Sequence, residues 1–189
     1  MRIIAGKFRS RPLKAPLGLD VRPSSDRLRE TLFNVLGSAL RLEGSRWIDL
    51  FAGTGAVGLE ALSRGAGYVY FVEKAPKVAR IIEANVKSLG AEEQAEILTS
   101  DAVTALRQLE GIDPVEFVFL DPPYREEGSY HAVLRVLADS PLLRPESIVI
   151  AEHTKHFDPG DGVGELRRYR SLKQGDAVLS FYRRTAPAT

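Results

Sequence analysis

The sequence predicts an α/β fold built on a mostly parallel β-sheet, and three features support this. Short apolar runs alternate with amphipathic stretches from Trp47 onward, which is typical of strands alternating with helices. The apolar runs have no polar face, as expected for strands that helices cover on both sides. A glycine-rich turn, Gly53-Thr54-Gly55, directly follows the first run and joins a strand to a helix.

The alternating part of the chain resolves into strands, helices and a final hairpin. Strands are predicted at 47–51, 68–73, 95–99, 116–120 and 147–151, and helices at 57–63, 76–89, 102–109 and 130–137. Two more apolar stretches, 165–172 and 177–183, flank a turn that contains Gly175. This pattern predicts an antiparallel hairpin that follows five parallel strands and brings the sheet to seven.

An N-terminal extension is predicted over residues 1–43, ahead of the main domain at 44–185 and a short tail at 186–189. Gly6 and Pro16 bound a small β-hairpin-like segment. Asp26 closes a helix-start sequence, and apolar residues then recur at helical spacing, namely Leu28, Leu32, Phe33, Val35 and Leu36.

Composition narrows the class of protein. The 189 residues include no cysteine, which excludes disulfides, thiolate nucleophiles and cysteine-ligated metal centres. No apolar run approaches the 18 residues of a membrane span, and no secretory signal is visible, so a cytoplasmic location is expected. His153 and His156 lie three residues apart without a clustered third ligand, so no metal site is predicted.

Charge is distributed unevenly along the chain. The 26 basic and 25 acidic residues give a net charge of +1, which alone argues against a nucleic-acid partner. Residues 1–30, however, carry eight basic and three acidic side chains, whereas residues 31–189 carry 18 and 22. Such asymmetry indicates an anionic partner for the N-terminal part, although a merely solvated basic arm would show the same pattern.

The glycine-rich turn predicts a site for an adenosine-containing cofactor. Gly53, Gly55 and Gly58 fit the G-x-G-x-x-G pattern between a strand and a helix, where glycines let the backbone approach a ligand. Glu73 follows Gly53 by twenty residues and is placed to accept hydrogen bonds from ribose hydroxyls. Asp101, after the third strand, is a candidate for the adenine amino group. NAD(P) and S-adenosylmethionine both satisfy this pattern.

The fourth strand ends in Asp121-Pro122-Pro123-Tyr124. Two consecutive prolines have no N–H to donate, so this segment cannot continue a sheet or a helix. It forms a stiff turn that presents two acceptors, the Asp121 carboxylate and the Pro122 carbonyl, beside the Tyr124 ring. The turn stands at the carboxyl edge of the sheet, where ligands bind in open α/β folds.

Both motifs together resemble those of class I S-adenosylmethionine-dependent amino-N-methyltransferases. With residues 2–9, 22–34, 49–65 and 121–124 taken together, the chain resembles the bacterial 16S ribosomal RNA guanine-N2 methyltransferase family (RsmD) from residue 2 to about residue 152. It departs from the family pattern at Ser24 and Ser25, where threonine is commoner, and at Tyr124, where some members have phenylalanine. Neither difference removes an acceptor or the ring.

The resemblance implies a Rossmann-like class I methyltransferase fold and S-adenosylmethionine as cofactor. It further implies methyl transfer to the exocyclic N2 of a guanine in 16S rRNA, at position 966, during biogenesis of the small subunit. Naked 16S rRNA or a partly assembled small ribosomal subunit would be the partner of a protein that is expected to be a monomer.

Candidate site residues fall into three groups under this reading. Those that orient and stack the target base are Asp121, Pro122 and Tyr124. Those that bind the cofactor are Asp49, Phe51, Gly53, Thr54, Gly55, Glu73, Lys74, Asp101 and Ala102. Those that contact RNA are Arg2, Lys7, Arg9, Arg11, Lys14 and Arg22. Arg27 and Asn34 are either contacts of the cofactor pocket or ordinary polar residues of a helix surface.

Three other functions account for part of the pattern. An NAD(P)-dependent oxidoreductase would explain the glycine-rich turn but not the segment from Asp121 to Tyr124. Another nucleic-acid or protein amino-N-methyltransferase would share that segment, yet it gives no reason for the basic N-terminal part. A non-catalytic RNA-binding domain would need neither the intact cofactor turn nor the acceptor segment.

Overall fold

The computed structural model describes residues 1–16, 26–39, 42–123 and 125–185. Five helices are present in these residues: α1 (Asp26–Ala39), α2 (Ala56–Ser63), α3 (Pro76–Leu89), α4 (Ala102–Gln108) and α5 (Glu127–Asp139). The strands are β1 (Arg46–Leu50), β2 (Tyr68–Val72), β3 (Ala95–Leu98), β4 (Val115–Leu120), β5 (Leu143–Thr154), β6 (Gly162–Val163), β7 (Leu166–Gln174) and β8 (Ala177–Arg184). No helix in these ranges is long and apolar enough to cross a membrane.

All eight strands form one sheet in the order β3-β2-β1-β4-β5-β8-β7-β6. The first five strands along the chain pair in parallel, and β8 then pairs antiparallel with both β5 and β7. The predicted α/β class with a C-terminal antiparallel hairpin is therefore confirmed. Because β1 lies between β2 and β4, the chain reverses its direction of travel across the sheet at the β1–β4 boundary.

Helices cover both faces of the sheet. On one face, apolar residues of α1, α2 and α3 pack with the N-terminal segment against the sheet, as Leu32, Leu59, Ile82 and Ile3 show. On the other face, α4 and α5 bury residues such as Leu106 and Leu134. The first face is called the α1–α3 face below, and the second the α4–α5 face.

Two predicted features of the sheet were wrong in detail. The sheet has eight strands rather than seven, because the two-residue strand β6 turns at Gly164 and pairs with the start of β7. So short a strand leaves no period-two pattern in the sequence. The N-terminal β-hairpin reduces to a single bridge between Arg2 and Pro12, because most of this segment directs its hydrogen bonds to α2 instead.

The N-terminal segment is held by the buried carboxylate of Glu60 in α2. The backbone N–H groups of Ile4 and Ala5 donate to the two carboxylate oxygens over 2.8 and 3.0 Å. Arg64 Nε donates to the same carboxylate over 2.7 Å, and the Glu60 side chain is fully buried. Since buried charges need partners of this kind, Glu60 fixes the path of the segment across α2. The helix start before Asp26 and the tail at 186–189 lie outside the described residues.

Gly58 sets the distance between α2 and the sheet. A Cβ atom added there would stand 2.3 Å from Phe71 Cε1 and 2.8 Å from Val69 Cγ1, both on β2. Those side chains are fully buried and cannot swing into solvent. The third glycine of the turn motif is therefore required by helix–sheet packing.

We expect Gly58→Ala to destabilise the fold by about 1–3 kcal/mol through overpacking of a closed core. Gly37→Ala is the matched control, because Gly37 also lies in a helix but meets only Leu42 Cδ1 at 3.9 Å. There the substitution should stabilise by about 0.5–1 kcal/mol through helix propensity. Urea unfolding of both variants measures the effects, and equal shifts in the free energy of unfolding would contradict the packing argument.

Candidate active site

A cavity of about 720 Å³ opens at the carboxyl edge of the sheet. Its walls come from the segments that follow β1, β2, β3 and β4, together with the end of β5 and the β7–β8 turn. It therefore lies at the position where the strand order reverses, which is where open α/β sheets bind ligands. Its volume is in the range of cofactor and small-molecule sites.

The turn after β1 has an unusual backbone. Phe51, Gly53 and Gly55 all have positive φ, at 60°, 56° and 77°. A bulky side chain rarely adopts this conformation, so Phe51 is strained, and such strain is often found at ligand sites. Gly55 then precedes the first residue of α2. The turn brings Gly53 and Thr54 to the cavity wall, with their backbone close to any ligand.

Two carboxylates from neighbouring strands hold this turn in place. Asp49 on β1 is buried and accepts a hydrogen bond from the Gly58 N–H over 2.9 Å. Glu73, directly after β2, accepts from the Gly53 N–H over 3.1 Å and from the Ala75 N–H over 2.9 Å. The oxygens of Glu73 retain lone pairs, and the residue lines the cavity.

Asp101 lies at the N-terminus of α4. Its Oδ1 accepts a hydrogen bond from the Thr104 N–H over 3.0 Å. Hydrogen bonds from the Thr104 side chain and backbone lower the pKa of Asp101, so this carboxylate is ionised at neutral pH. Asp101 and the next residue, Ala102, both line the cavity, on the wall that follows β3.

Asp121 follows β4 and faces the same cavity as Glu73. Burial raises its pKa to about 7. Burial also raises the pKa of Asp49 to about 8, against the opposing hydrogen bond from Gly58, and the charges of Asp121 and Glu73 raise it further. Because a bound cation would lower these raised pKa values, the carboxyl groups of this site favour a cationic ligand or one that presents hydrogen-bond donors.

An ion pair crosses the cavity wall between the β2 and β4 sides. Lys74 Nζ lies 2.7 Å from Glu126 Oε1, and both residues line the cavity. The pair raises the pKa of Lys74 and lowers that of Glu126. Because both side chains are more than a third exposed, the contribution to stability is small, and the pair mainly sets where the segment before α5 lies.

Most of the predicted site residues meet around this cavity. Its lining includes Phe51, Gly53, Thr54, Glu73, Lys74, Asp101, Ala102, Asp121 and Pro122. Asp49 and Gly55 do not line it and support the turn instead. Tyr124 and Arg22 lie outside the described residues. Arg27 and Asn34 are exposed on α1 away from the lining, whereas Leu28 of the same helix contributes to it.

The predicted RNA-contacting residues of the N-terminal segment are exposed. These are Arg2, Lys7, Arg9, Arg11 and Lys14. Two of them also tie the segment to the domain, since Lys7 Nζ donates to Gln94 Oε1 over 2.8 Å and Arg11 donates to the Ser88 carbonyl over 2.6 Å. Ile3 and Leu13 are buried in the core, so the segment is a docked part of the fold.

Sequence analysis missed the wall formed by β5 and the β7–β8 turn. Glu152, near the end of β5, and residues 174–177 both line the cavity. The turn reaches this edge because β8 pairs antiparallel with β5, which places the start of β8 beside the end of β5. Glu152 directly follows the predicted strand 147–151, and the parallel pairing of β5 with β4 places it at the carboxyl edge, so the sequence did carry a signal for it. Residues 174–177 reach the cavity only through the long-range pairing of β8, for which the local sequence carries no signal.

The two histidines show no metal-binding arrangement. His153 is buried, with Nδ1 at 2.9 Å from the Thr154 carbonyl and Nε2 at 2.9 Å from Ser180 Oγ. His156 is exposed on the following turn. Within the described part of the chain, no group of three or more histidine and acidic side chains could hold a metal ion.

The chain is similar to proteins that methylate ribosomal RNA. A family model described as "Conserved hypothetical protein 95" matches residues 1–183. The ribosomal RNA small subunit methyltransferase D of Escherichia coli K12 is 38% identical over 186 residues, covering 98% of this chain and 91% of that protein. Its namesake in Haemophilus influenzae is 36% identical over 156 residues, covering 82% and 79%.

Solved structures share the fold. Escherichia coli yhhF superposes with a TM-score of 0.82 at 33% identity, covering 98% of each chain. TrmN from Thermus thermophilus matches with a TM-score of 0.67 at 21% identity, covering 84% of this chain and 48% of that one. The second likeness shows the fold alone.

We expect Asp121→Asn to stabilise the protein more at pH 8 than at pH 5. The raised pKa means that the folded state holds this proton more tightly than the unfolded state. Its favourable contribution is fully present below the ordinary pKa near 3.8 and is lost as the pH rises through about 7. Asparagine is neutral throughout, so the difference in melting temperature between variant and parent should grow with pH. An equal difference at both values would contradict the burial of this carboxylate.

Proposed function

Because the chain belongs to the RsmD family of ribosomal RNA methyltransferases, we propose that it methylates the exocyclic N2 of a guanine in 16S rRNA. The methyl donor is S-adenosylmethionine. The observation that carries the proposal is the convergence of Glu73, Asp101 and the Asp121-Pro122 acceptors on one cavity of about 720 Å³. The groups that would bind the cofactor and those that would orient the base therefore line the same cavity.

The chain's own residues fit S-adenosylmethionine. Glu73 would accept hydrogen bonds from the ribose hydroxyls and Asp101 from the adenine amino group, since both are acceptors on adjacent walls of the cavity. The backbone of Gly53 and Thr54 at the cavity wall would allow close approach of the amino-acid part. When bound, the cofactor would supply a methyl group on a positively charged sulfonium, and that charge would favour the ionised form of Asp121 at the cavity wall.

Asp121 and the Pro122 carbonyl would orient the target nitrogen. The lone pair of a guanine amino group is delocalised into the ring, and two acceptors for its hydrogens favour a pyramidal nitrogen whose lone pair faces the methyl group. An in-line displacement depends chiefly on such positioning. The Asp121 carboxylate also offsets the positive charge that develops on nitrogen during transfer. Tyr124 would stack on the base after it leaves its own stack.

The exposed basic residues of the N-terminal segment would contact rRNA phosphates. Arg2, Lys7, Arg9 and Arg11 all stand on a segment that Glu60 fixes against α2. Phosphate contacts position a protein on its substrate without reading its sequence. This segment would therefore supply affinity and orientation, while the cavity selects the guanine.

We expect Asp121→Ala to lower the rate of methyl transfer by about 10²–10³-fold, the usual cost of removing one preorganised group that stabilises a transition state. Affinity for S-adenosylhomocysteine should change little. Labelled S-adenosylmethionine, supplied with unmodified 16S rRNA, small subunits or DNA and followed by mapping of the methylated nucleotide, measures both activity and substrate class. Near-parental turnover in the variant, or a methyl group on DNA or on another atom of the base, would contradict the proposal.

Glu73→Gln should weaken S-adenosylhomocysteine binding about 10- to 100-fold, because hydrogen bonds to a carboxylate are worth about 1.5–3 kcal/mol. Calorimetric titration with S-adenosylhomocysteine and with its 2′-deoxyribose analogue isolates the contact with the sugar. The analogue should bind the parent more weakly and should lose much less affinity on substitution. If both ligands lose affinity equally, Glu73 acts only through its hydrogen bond to Gly53.

A further inference from the structure

The C-terminal hairpin is as basic as the N-terminal part of the chain. Residues 166–184 carry six basic side chains and one acidic side chain, a net charge of +5. Residues 1–30 also carry +5, and residues 31–165 carry −9. The hairpin therefore carries much of the positive charge that the net charge of the whole chain hides. The proposed function assigns no role to these basic residues of the hairpin.

Four side chains of this hairpin form a continuous surface, called the hairpin patch: Arg167, Tyr169, Arg170 and Arg183. Tyr169 is 48% exposed, and the Arg183 guanidinium carbon lies 4.8 Å from the centre of its ring. Arg170 lies 5.9 Å from the centre of the Phe181 ring. A register shift between Arg168 and Arg170 lets neighbouring residues reach this same side of the strand.

The charges of the patch have no acidic partner among the described residues. Arg167 and Arg183 stand directly opposite each other on β7 and β8, an arrangement of like charges that destabilises a sheet. On the opposite face of the same strand, Arg168 pairs with Asp158 over 2.6 Å and with Asp161 over 2.5 Å. Arg168 thus has two carboxylate partners, whereas the three arginines of the patch have none among the described residues and can meet an external anion.

The patch lies on the same face of the sheet as the N-terminal segment. Phe181, which contacts both Tyr169 and Arg170, belongs to the apolar cluster that contains Ile3. Along β7, Tyr169 precedes Gln174 at the cavity wall by five residues, a distance of about 16 Å at the usual rise of a strand. That length corresponds to about five stacked nucleotides at 3.4 Å each.

We propose that the hairpin patch is a second RNA-binding surface, on which Tyr169 stacks with an unpaired base and Arg167 and Arg170 contact phosphates beside the target guanine. An exposed aromatic ring flanked by arginines without an acidic partner is suited to single-stranded nucleic acid, since stacking and phosphate contact need no particular sequence. An acidic protein would match the charge but would give no reason for the exposed ring. The inference rests on the proposed function, because it names a surface for the same RNA substrate.

The experiment compares the parent with two kinds of variant, using an unmodified 16S rRNA transcript as the binding probe. Tyr169→Ala should weaken RNA binding roughly 5- to 100-fold, while Tyr169→Phe, which keeps the ring, should bind within about threefold of the parent. The double variant Arg167→Gln, Arg170→Gln should reduce the slope of log affinity against log salt concentration by about 1.4–1.8, the loss of two phosphate contacts. Affinity for S-adenosylhomocysteine should stay parental in all variants.

A matched control removes two arginines from the α4–α5 face. Arg107 and Arg135 are exposed there, on α4 and α5, so Arg107→Gln, Arg135→Gln lowers the net charge equally without touching the patch. Parental affinity and salt slope in the Tyr169→Ala and double variants would overturn the proposal. So would a loss confined to small subunits that contain ribosomal proteins, since the partner would then be a protein. If these variants lose RNA binding but the parent methylates no guanine, the proposed function fails and the patch stands.

Discussion

The hydrogen bond from the Gly58 N–H to the buried Asp49 carboxylate is the interaction on which the site depends. It joins the end of β1 to the first turn of α2 across a turn whose backbone is strained at Phe51. Glu73 fixes the same turn from β2. Burying carboxylates costs free energy, and the raised pKa of Asp49 shows that the Gly58 N–H offsets only part of it, while burial raises the pKa of Asp121 as well. A cationic cofactor would offset the rest of this cost. The buried carboxyl groups therefore lower the stability of the fold, and binding of the cofactor would recover part of that free energy.

Helix α2 connects the turn after β1 to the N-terminal segment. All eight of its residues are buried, and its two ends serve different purposes. Its first residue directly follows the turn after β1. Near its other end, Glu60 and Ser63 accept hydrogen bonds from the backbone of residues 4–8. Gly6 permits this contact, since a Cβ there would stand 1.8 Å from the Ser63 carbonyl oxygen. One short helix therefore sets the position of the exposed basic residues relative to the cavity.

Local signals in the sequence determined what could be predicted. The helix Pro76–Leu89 was predicted to the residue, because proline marks its first turn and Gly90 adopts the left-handed conformation that ends it. Glu73 and Asp101 were assigned to one cofactor, and Asp121 to the carboxyl edge of the sheet, because each residue follows or ends a predicted parallel strand. Glu152 lies at the same carboxyl edge, because β5 pairs in parallel with β4, and could have been predicted by the same rule. Gln174 could not, because it reaches the cavity only through the pairing of β8 with β5. Strand pairing over such separations leaves no local periodicity to read.

Acidic and basic residues lie on different parts of this fold. Under the proposed function, the basic surfaces would provide affinity for RNA, and the acidic cavity would select the group that enters it. The cavity gathers the carboxylates of Glu73, Asp101 and Asp121, which repel a phosphate but accept the hydrogens of a base or a sugar. The basic residues lie on surfaces outside the cavity, on the N-terminal segment and on the C-terminal hairpin. Under the proposed function, an RNA strand on those surfaces would direct a nucleobase into the cavity, because its phosphates would be attracted outside the cavity and repelled within it. The net charge of +1 hides this separation of charge, which under the proposed function would orient the RNA as well as attract it.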